Sequence, residues 1–502
     1  MSGIIGPRSS IKRIVRFTVV MLAASAMTFS SVADGFARGL GGSGGSRGMG
    51  GDGMRGPGNG GRYPGNDGPR NPGGGGVMLP PGGYGPGTVV IVDDDDQGPS
   101  RRFRKAKKKQ KQQKQIAQRG SFNVPPAGER RFVPNEVLAN ISATMSLPAL
   151  DAVLRRNRLT RLETQDFTLT RRRIARLRIN DGRPVATVIR SLQKEASILG
   201  AQVNSYFAVQ QGGASATAAD PTQYALTKLR LPEAHALAKG DSVLVAVIDT
   251  AIDASHPDLA GVVAASFDAT GAADKPHQHG TGIAGVIAAH GKLTGAAPAV
   301  KLLAVHAFGS TGSDGTSLNV LKGLDWAGKS KAAVINMSFA GPSDAEIHTM
   351  LAALRGRGTV LIAAAGNAGP NSRPLYPAAD PEVIAVTATD IDDKIFAQAN
   401  RGTHIAVAAP GVNILAAAPN GGYLMQSGTS FAAAQVSGIA ALLLERNPRL
   451  DAAAVRRILM STAHDLGAPG HDEQFGSGLA DAFGAVTSAG PKSSEVSASP
   501  SN

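Results

Sequence analysis

The chain contains no cysteine. That absence excludes disulfides, a thiolate nucleophile and cysteine-ligated zinc, and leaves packing or a bound ion to stabilise the protein in an oxidising compartment. Long apolar runs are also missing. The nearest approach, FTVVMLAASAM beginning at Phe17, is short of the roughly 20 residues that cross a bilayer. It follows Arg8, Lys12, Arg13 and Arg16 and leads to small-residue exits ending at Ala33 and Ala37. This basic, apolar, small order is that of a secretory signal. Residues 1–37 are expected to be a signal peptide and the protein to work outside the cytoplasm, secreted or held in the periplasm or cell envelope.

Apolar residues are then scarce up to about Gly87, where glycine, proline and asparagine dominate. Such a segment cannot offset the entropy of folding. Between Arg101 and Arg119 acid is what is lacking, since the run holds ten Lys or Arg and no Asp or Glu. It reads as a solvated linker or as a tether to a polyanion or envelope surface. Residues 38–130 are expected to be disordered. The formal net charge of +14 belongs to this N-terminal part, because residues 222–488 are mildly acidic. Basicity therefore gives no reason to assign a specific nucleic-acid partner.

Order is expected from about Arg131. FVPNEVLANIS reads as a strand, and SLPALDAVLRRNRL as a helix opened by a serine cap. RRRIARLRIN alternates like a half-buried strand, PVATVIRSLQKEASI is amphipathic, and AQVNSYFAV closes the unit as a strand. With QDFTLT also extended, residues 131–211 make a small α+β ferredoxin-like sandwich. A flexible linker, Gln211 to Gln223, follows. From 222 to 488 apolar β-branched runs alternate with helical patterns: VLVAVID, KLLAVHAF, AAVINMSF, TVLIAAAG and VIAVTAT against GTGIAGVIAAHG, SLNVLKGLDWAGKS and DAEIHTMLAALRGRG. This predicts an α/β, doubly wound, mostly parallel sheet. Residues 489–502 are expected to be a disordered tail.

In such a sheet, chemistry collects where strands end. Asp249 ends VLVAVID, His279 opens a helix pattern, Asn367 follows TVLIAAAG, and Ser430 stands where Gly428-Thr429 gives way to a long apolar helix. Any one of them alone reads as a cap or turn residue. Four at element ends in one sheet suggest a nucleophile, its base, an orienting carboxylate and an oxyanion donor. His277 is a second candidate base.

DTAIDASHPDL, HGTGIAG, AAAGN and SGTSFAAAQVSG resemble the Asp, His, Asn and Ser boxes of the subtilisin-like serine proteases, over about 222–488. The resemblance implies a serine endopeptidase whose catalytic residues are Asp249, His279 and Ser430, with Asn367 in the oxyanion hole. It also implies that Ser338, Phe339, Ala340 and Gly341 pair with substrate backbone, and that Ala363, Ala364, Ala365 and Gly366 wall an apolar pocket for the residue before the cut. Residues 131–211 resemble the family's inhibitory propeptide. A self-processed zymogen follows, cut near Tyr206 to Gln211 and inhibited by its own propeptide.

Three positions depart from the common pattern. Ala251 and Ala340 stand where glycine is usual and Ala434 where proline is. If the turn at Ala251 needs positive φ, its methyl costs about 1–2 kcal/mol. No cofactor is required for the chemistry. Structural calcium is common in the family, and HPDL with its Asp258, Asp268, Asp274, Asp390, Asp392 and Asp393 offer oxygen ligands in principle, with no site assigned. Two other readings are a catalytically silent surface or polyanion-binding protein on a protease-like scaffold, and an esterase using the same triad.

Overall fold

A computed structural model describes residues 121–210, 212 and 223–490. The expected signal peptide, the basic run 101–119, nearly all of the linker and nearly all of the tail lie outside the described residues. No helix among the described residues is long and apolar enough to cross a membrane.

The first part is built on strands β1 (Phe122–Asn123), β2 (Phe132–Ile141), β3 (Leu159–Phe167), β4 (Arg172–Ile179) and β5 (Ile198–Val209), with helices α1 (Leu147–Arg156) and α2 (Val185–Leu192). From β2 onward the order is βαββαβ. QDF is indeed extended, within β3, and the sheet order is β1-β5-β2-β4-β3. Ser146 caps α1, its hydroxyl accepting from the Ala149 N–H, and proline follows within the first turn, where its missing donor costs nothing. Leu150, Leu154, Val188, Ile189 and Leu192 meet Val137, Ala139, Ala175 and Leu177 in one core. One expectation is corrected here. Residues 122–123, in the stretch expected to be disordered, form a strand, because their backbone pairs with the edge of β5 and Phe122 and Val124 pack on that core.

Two short helices, α3 (Tyr224–Lys228) and α4 (Leu231–His235), lead into the second part. Its sheet contains β6 (Leu244–Asp249), β7 (Val263–Asp268), β8 (Lys301–His306), β10 (Val334–Met337), β12 (Val360–Ala364), β13 (Ile384–Thr389) and β14 (Ile405–Pro410). The order is β14-β13-β12-β10-β6-β8-β7, and every pairing is parallel. Short strands β9 (Gly315–Thr316) and β11 (Phe339–Ala340) join β5 instead, and β15 (Ile414–Ala418) and β16 (Gly422–Gln426) form a hairpin.

Alternation along β6 sorts the two faces, as a period of two requires. Val245 and Val247 pack with Ile283 of α5 (Gln278–Ala288) and with Phe431, Val436 and Ile439 of α8 (Thr429–Arg446). Ala246 and Ile248 pack with Leu321 and Leu324 of α6 (Ser317–Lys329) and Leu351 of α7 (Ala345–Arg355). The sheet is covered on both faces, which suits its near-continuous apolar strands. Helices α9 (Ala452–Ser461) and α10 (Ala482–Ser488) complete the first face. Leu138, Phe167, Ile174 and Phe207 of the small sheet belong to the second core, so the first part packs on the α6–α7 side.

Candidate active site

Asp249 ends β6 with its side chain fully buried. Oδ1 accepts from the Thr250 N–H at 2.7 Å and the Thr250 hydroxyl at 3.1 Å, and stands 2.7 Å from His279 Nδ1. A carboxylate accepts only, so the imidazole carries its proton on Nδ1 and leaves Nε2 as a base. Nε2 is buried and without a hydrogen-bond partner. His279 reaches this place because α5 starts hard against the exit of β6. A Cβ on Gly280 would lie 2.4 Å from the Thr250 carbonyl oxygen, so only glycine permits that approach.

His277 is the N-cap of α5, its Nδ1 accepting from the His279 N–H at 3.2 Å. It holds no hydrogen bond to Asp249. Burial, and then the neighbouring His279, keep its pKa below the usual imidazole value. The geometry therefore favours His279 over His277 as the base.

Ser430 lies in the first turn of α8, fully buried. Its hydroxyl donates to the Ser338 carbonyl at 3.0 Å, and the bond to His279 Nε2 is not formed. Asn367 is tethered through Oδ1, which accepts from the Thr429 N–H at 3.1 Å and the Thr429 hydroxyl at 2.8 Å. Its Nδ2 is buried with no partner. A buried amide left with unused donors is costly unless something fills the place.

The C-terminal stretch of β5 crosses this site. Ala208 and Val209 pair antiparallel with Ala340 and Phe339, and Tyr206 and Phe207 pair with Thr316 and Gly315. The Gln210 N–H donates to the Ser338 carbonyl at 2.9 Å and the Gly212 N–H to the Ser427 carbonyl at 2.7 Å. An ideal Cβ on Gly428 would sit 2.6 Å from the Gln210 carbonyl oxygen and 3.0 Å from Asn367 Nδ2, so those two groups face the same small space. Of the expected binding strand, Ser338, Phe339 and Ala340 pair with the backbone of this segment, while Gly341 exchanges backbone hydrogen bonds with Tyr376 and lies against the Phe207 ring. Ala363 and Ala364 are buried in β12, in register with Ala385 and Val386. The Ala365 N–H donates to the Val386 carbonyl, and the Gly366 N–H donates to the Thr429 hydroxyl oxygen at 3.2 Å.

Two residues were not picked out from sequence. Thr250 braces Asp249, accepts from the Gly280 N–H at 3.0 Å and so ties β6 to α5; Thr429 braces Asn367. Both adjoin a candidate residue inside its box, which was the available signal. The doubt over Ala251 is also resolved, because Ala251 is absent from the described non-glycine residues with positive φ. The carboxylates considered for calcium have protein partners. Asp268 and Asp274 flank His306 at 3.0 and 3.2 Å, Asp390 accepts from the Asp392 and Lys394 N–H groups, Asp392 pairs with Lys394 and Asp393 with Lys228. No cluster of three or more metal-binding side chains occurs among the described residues, and no metal is assigned a role.

The subtilase family model matches residues 240–478. Subtilisin amylosacchariticus of Bacillus subtilis subsp. amylosacchariticus is 38% identical over 273 residues, covering 52% of this chain and 70% of its own. M-protease of Shouchella clausii (strain KSM-K16) is 34% identical over 284 residues, covering 55% and 73%. The chain therefore belongs to the subtilase family, and is a serine endopeptidase. Among solved structures, fervidolysin from Fervidobacterium pennivorans, described as a keratinolytic enzyme related to subtilisin, superposes with a TM-score of 0.61 at 24% identity, over 74% of this chain and 63% of its own. That likeness supports the shared fold.

Proposed function

We propose that the enzyme cleaves peptide bonds through Asp249, His279 and Ser430, and that it is made as an exported zymogen that cuts itself between Gln210 and Gln211. The observation that carries this reading is the pair of hydrogen bonds, Gln210 N–H to Ser338 and Gly212 N–H to Ser427, which tie the chain on either side of the proposed cut to the carbonyl that the Ser430 hydroxyl also meets and to the turn leading to Ser430. His279 Nε2 takes the Ser430 proton as Oγ attacks the carbonyl of the residue before the cut, and returns it to the leaving amine. Asp249 holds the imidazole in the useful tautomer and stabilises its charged form. Asn367 Nδ2 and the Ser430 N–H receive the tetrahedral oxyanion, the amide contributing about 3–4 kcal/mol.

Residues 131–210 then act as the propeptide, extended by the strand at 122–123, and 222–488 as the protease domain. The basic-apolar-small order of residues 1–37 supports export, and the run 101–119 supports contact with an envelope polyanion. The test is mass spectrometry of the wild type and of Ser430→Ala. The wild type should begin at Gln211 and the variant should stay joined there; the same truncated form in both would end the self-cleavage reading.

A further inference from the structure

The segment seated in the cleft departs from the apolar residue expected before the cut, since that place holds Gln210. Its side chain is engaged at both ends. Oε1 accepts from the Asn367 backbone N–H at 2.8 Å, and Nε2 donates to the Ala208 carbonyl at 2.9 Å. An apolar side chain there would leave the Asn367 N–H unanswered when the chain covers it, which weighs against such a substrate. A second position is shaped as tightly. At Gly212 a Cβ would lie 2.9 Å from both Phe396 Cζ and the Ser427 carbonyl oxygen.

We propose that the enzyme selects glutamine immediately before the scissile bond and glycine two positions after the bond. The inference rests on the self-cleavage reading above and names the substrate class of the same site. Glutamine is chosen by its amide oxygen, and glycine by the lack of room beside Phe396.

The test uses protein purified after expression of the full chain, assayed on fluorogenic Phe-Ala-Val-Gln-Gln-Gly and on two single replacements. These put methionine for the first glutamine or alanine for glycine. Methionine keeps the length and lacks the amide oxygen, so kcat/KM should fall about five- to tenfold. The alanine peptide should fall about tenfold or more. A methionine peptide cut at the same bond as fast as its glutamine parent overturns glutamine selection, and an alanine peptide cut as fast as its glycine parent overturns glycine selection. Casein is assayed alongside, with Ser430→Ala as the blank. Casein hydrolysis without peptide discrimination removes the selectivity alone; no Ser430-dependent hydrolysis of any substrate removes the enzymatic reading and this inference with it.

Discussion

Asp249 Oδ1 and His279 Nδ1 are 2.7 Å apart with both side chains fully buried, and Thr250 supplies the same oxygen with two further donors. A neutral amide in place of the carboxylate would turn an N–H toward the imidazole or leave it with a weaker acceptor, and so favour the wrong tautomer. Asp249→Asn should lower kcat by about 10⁴-fold with the fold intact. Single-turnover kinetics with circular dichroism checks this, and a loss below tenfold would show that Asp249 does not orient the base.

Asn367 has a tethered end and a free one. Removing the free donor with Asn367→Leu should cost about 10²–10³ in kcat with KM little changed. Thr429→Val removes the hydroxyl from Oδ1 and leaves the Thr429 N–H in place. As a positioning change it should cost up to about tenfold. The kcat-against-KM split separates the two outcomes from simple loss of folded enzyme, and equal effects of both variants would argue that Thr429 does more than hold the amide.

The interface between the small sheet and helix α7 buries two acids. Asp344 accepts from Gln202 at 2.8 Å and from Ser317 at 2.5 Å, and Glu346 pairs with Arg172. Burial raises both pKa values above the ordinary carboxylate range, against those hydrogen bonds and against Arg172. An acid whose pKa is raised in the complex favours it when protonated. That contribution is fully present below the ordinary value and is lost as pH rises through the raised one. After the proposed cut, the propeptide should therefore be held most tightly at pH values below the ordinary carboxylate range and leave more readily as the pH rises through the raised values. Size-exclusion chromatography of freshly processed protein across that range measures retention, and Glu346→Gln should flatten its pH dependence. Tighter retention at alkaline pH would refute the sign.

The sheet was legible because buried parallel strands read as apolar runs, and the four candidate residues could be picked out because they stand at the ends of such elements. The strand β7 was not legible. It is an edge strand, mostly exposed, and VAASFD carries no apolar run to betray it. Nor was β1, whose two residues are a strand only through pairing with β5. Thr250 and Thr429 were overlooked for a different reason. Short hydroxyl side chains beside a functional residue look like caps, and their bracing role depends on atoms that sequence does not bring together. Gln210 is the extreme case, since its meaning comes from Ser338 and Asn367, both more than a hundred residues away.

Gly428 adjoins the proposed oxyanion position. Its φ of 150° is one that side chains rarely adopt, and a Cβ there would stand 2.6 Å from the Gln210 carbonyl oxygen and 3.0 Å from Asn367 Nδ2. Gly428→Ala should therefore push a seated carbonyl away from the Asn367 amide proposed to receive its developing charge. Displacements near 1 Å cost about 10²-fold in rate, so kcat/KM on a peptide substrate should fall at least that far. Conformational strain should also lower stability by about 1–2 kcal/mol, read as a modest drop in Tm. The two effects separate by temperature. Well below Tm the variant is folded and should still be slow, whereas wild-type rates there would show that the methyl finds room and that Gly428 is not needed for catalysis.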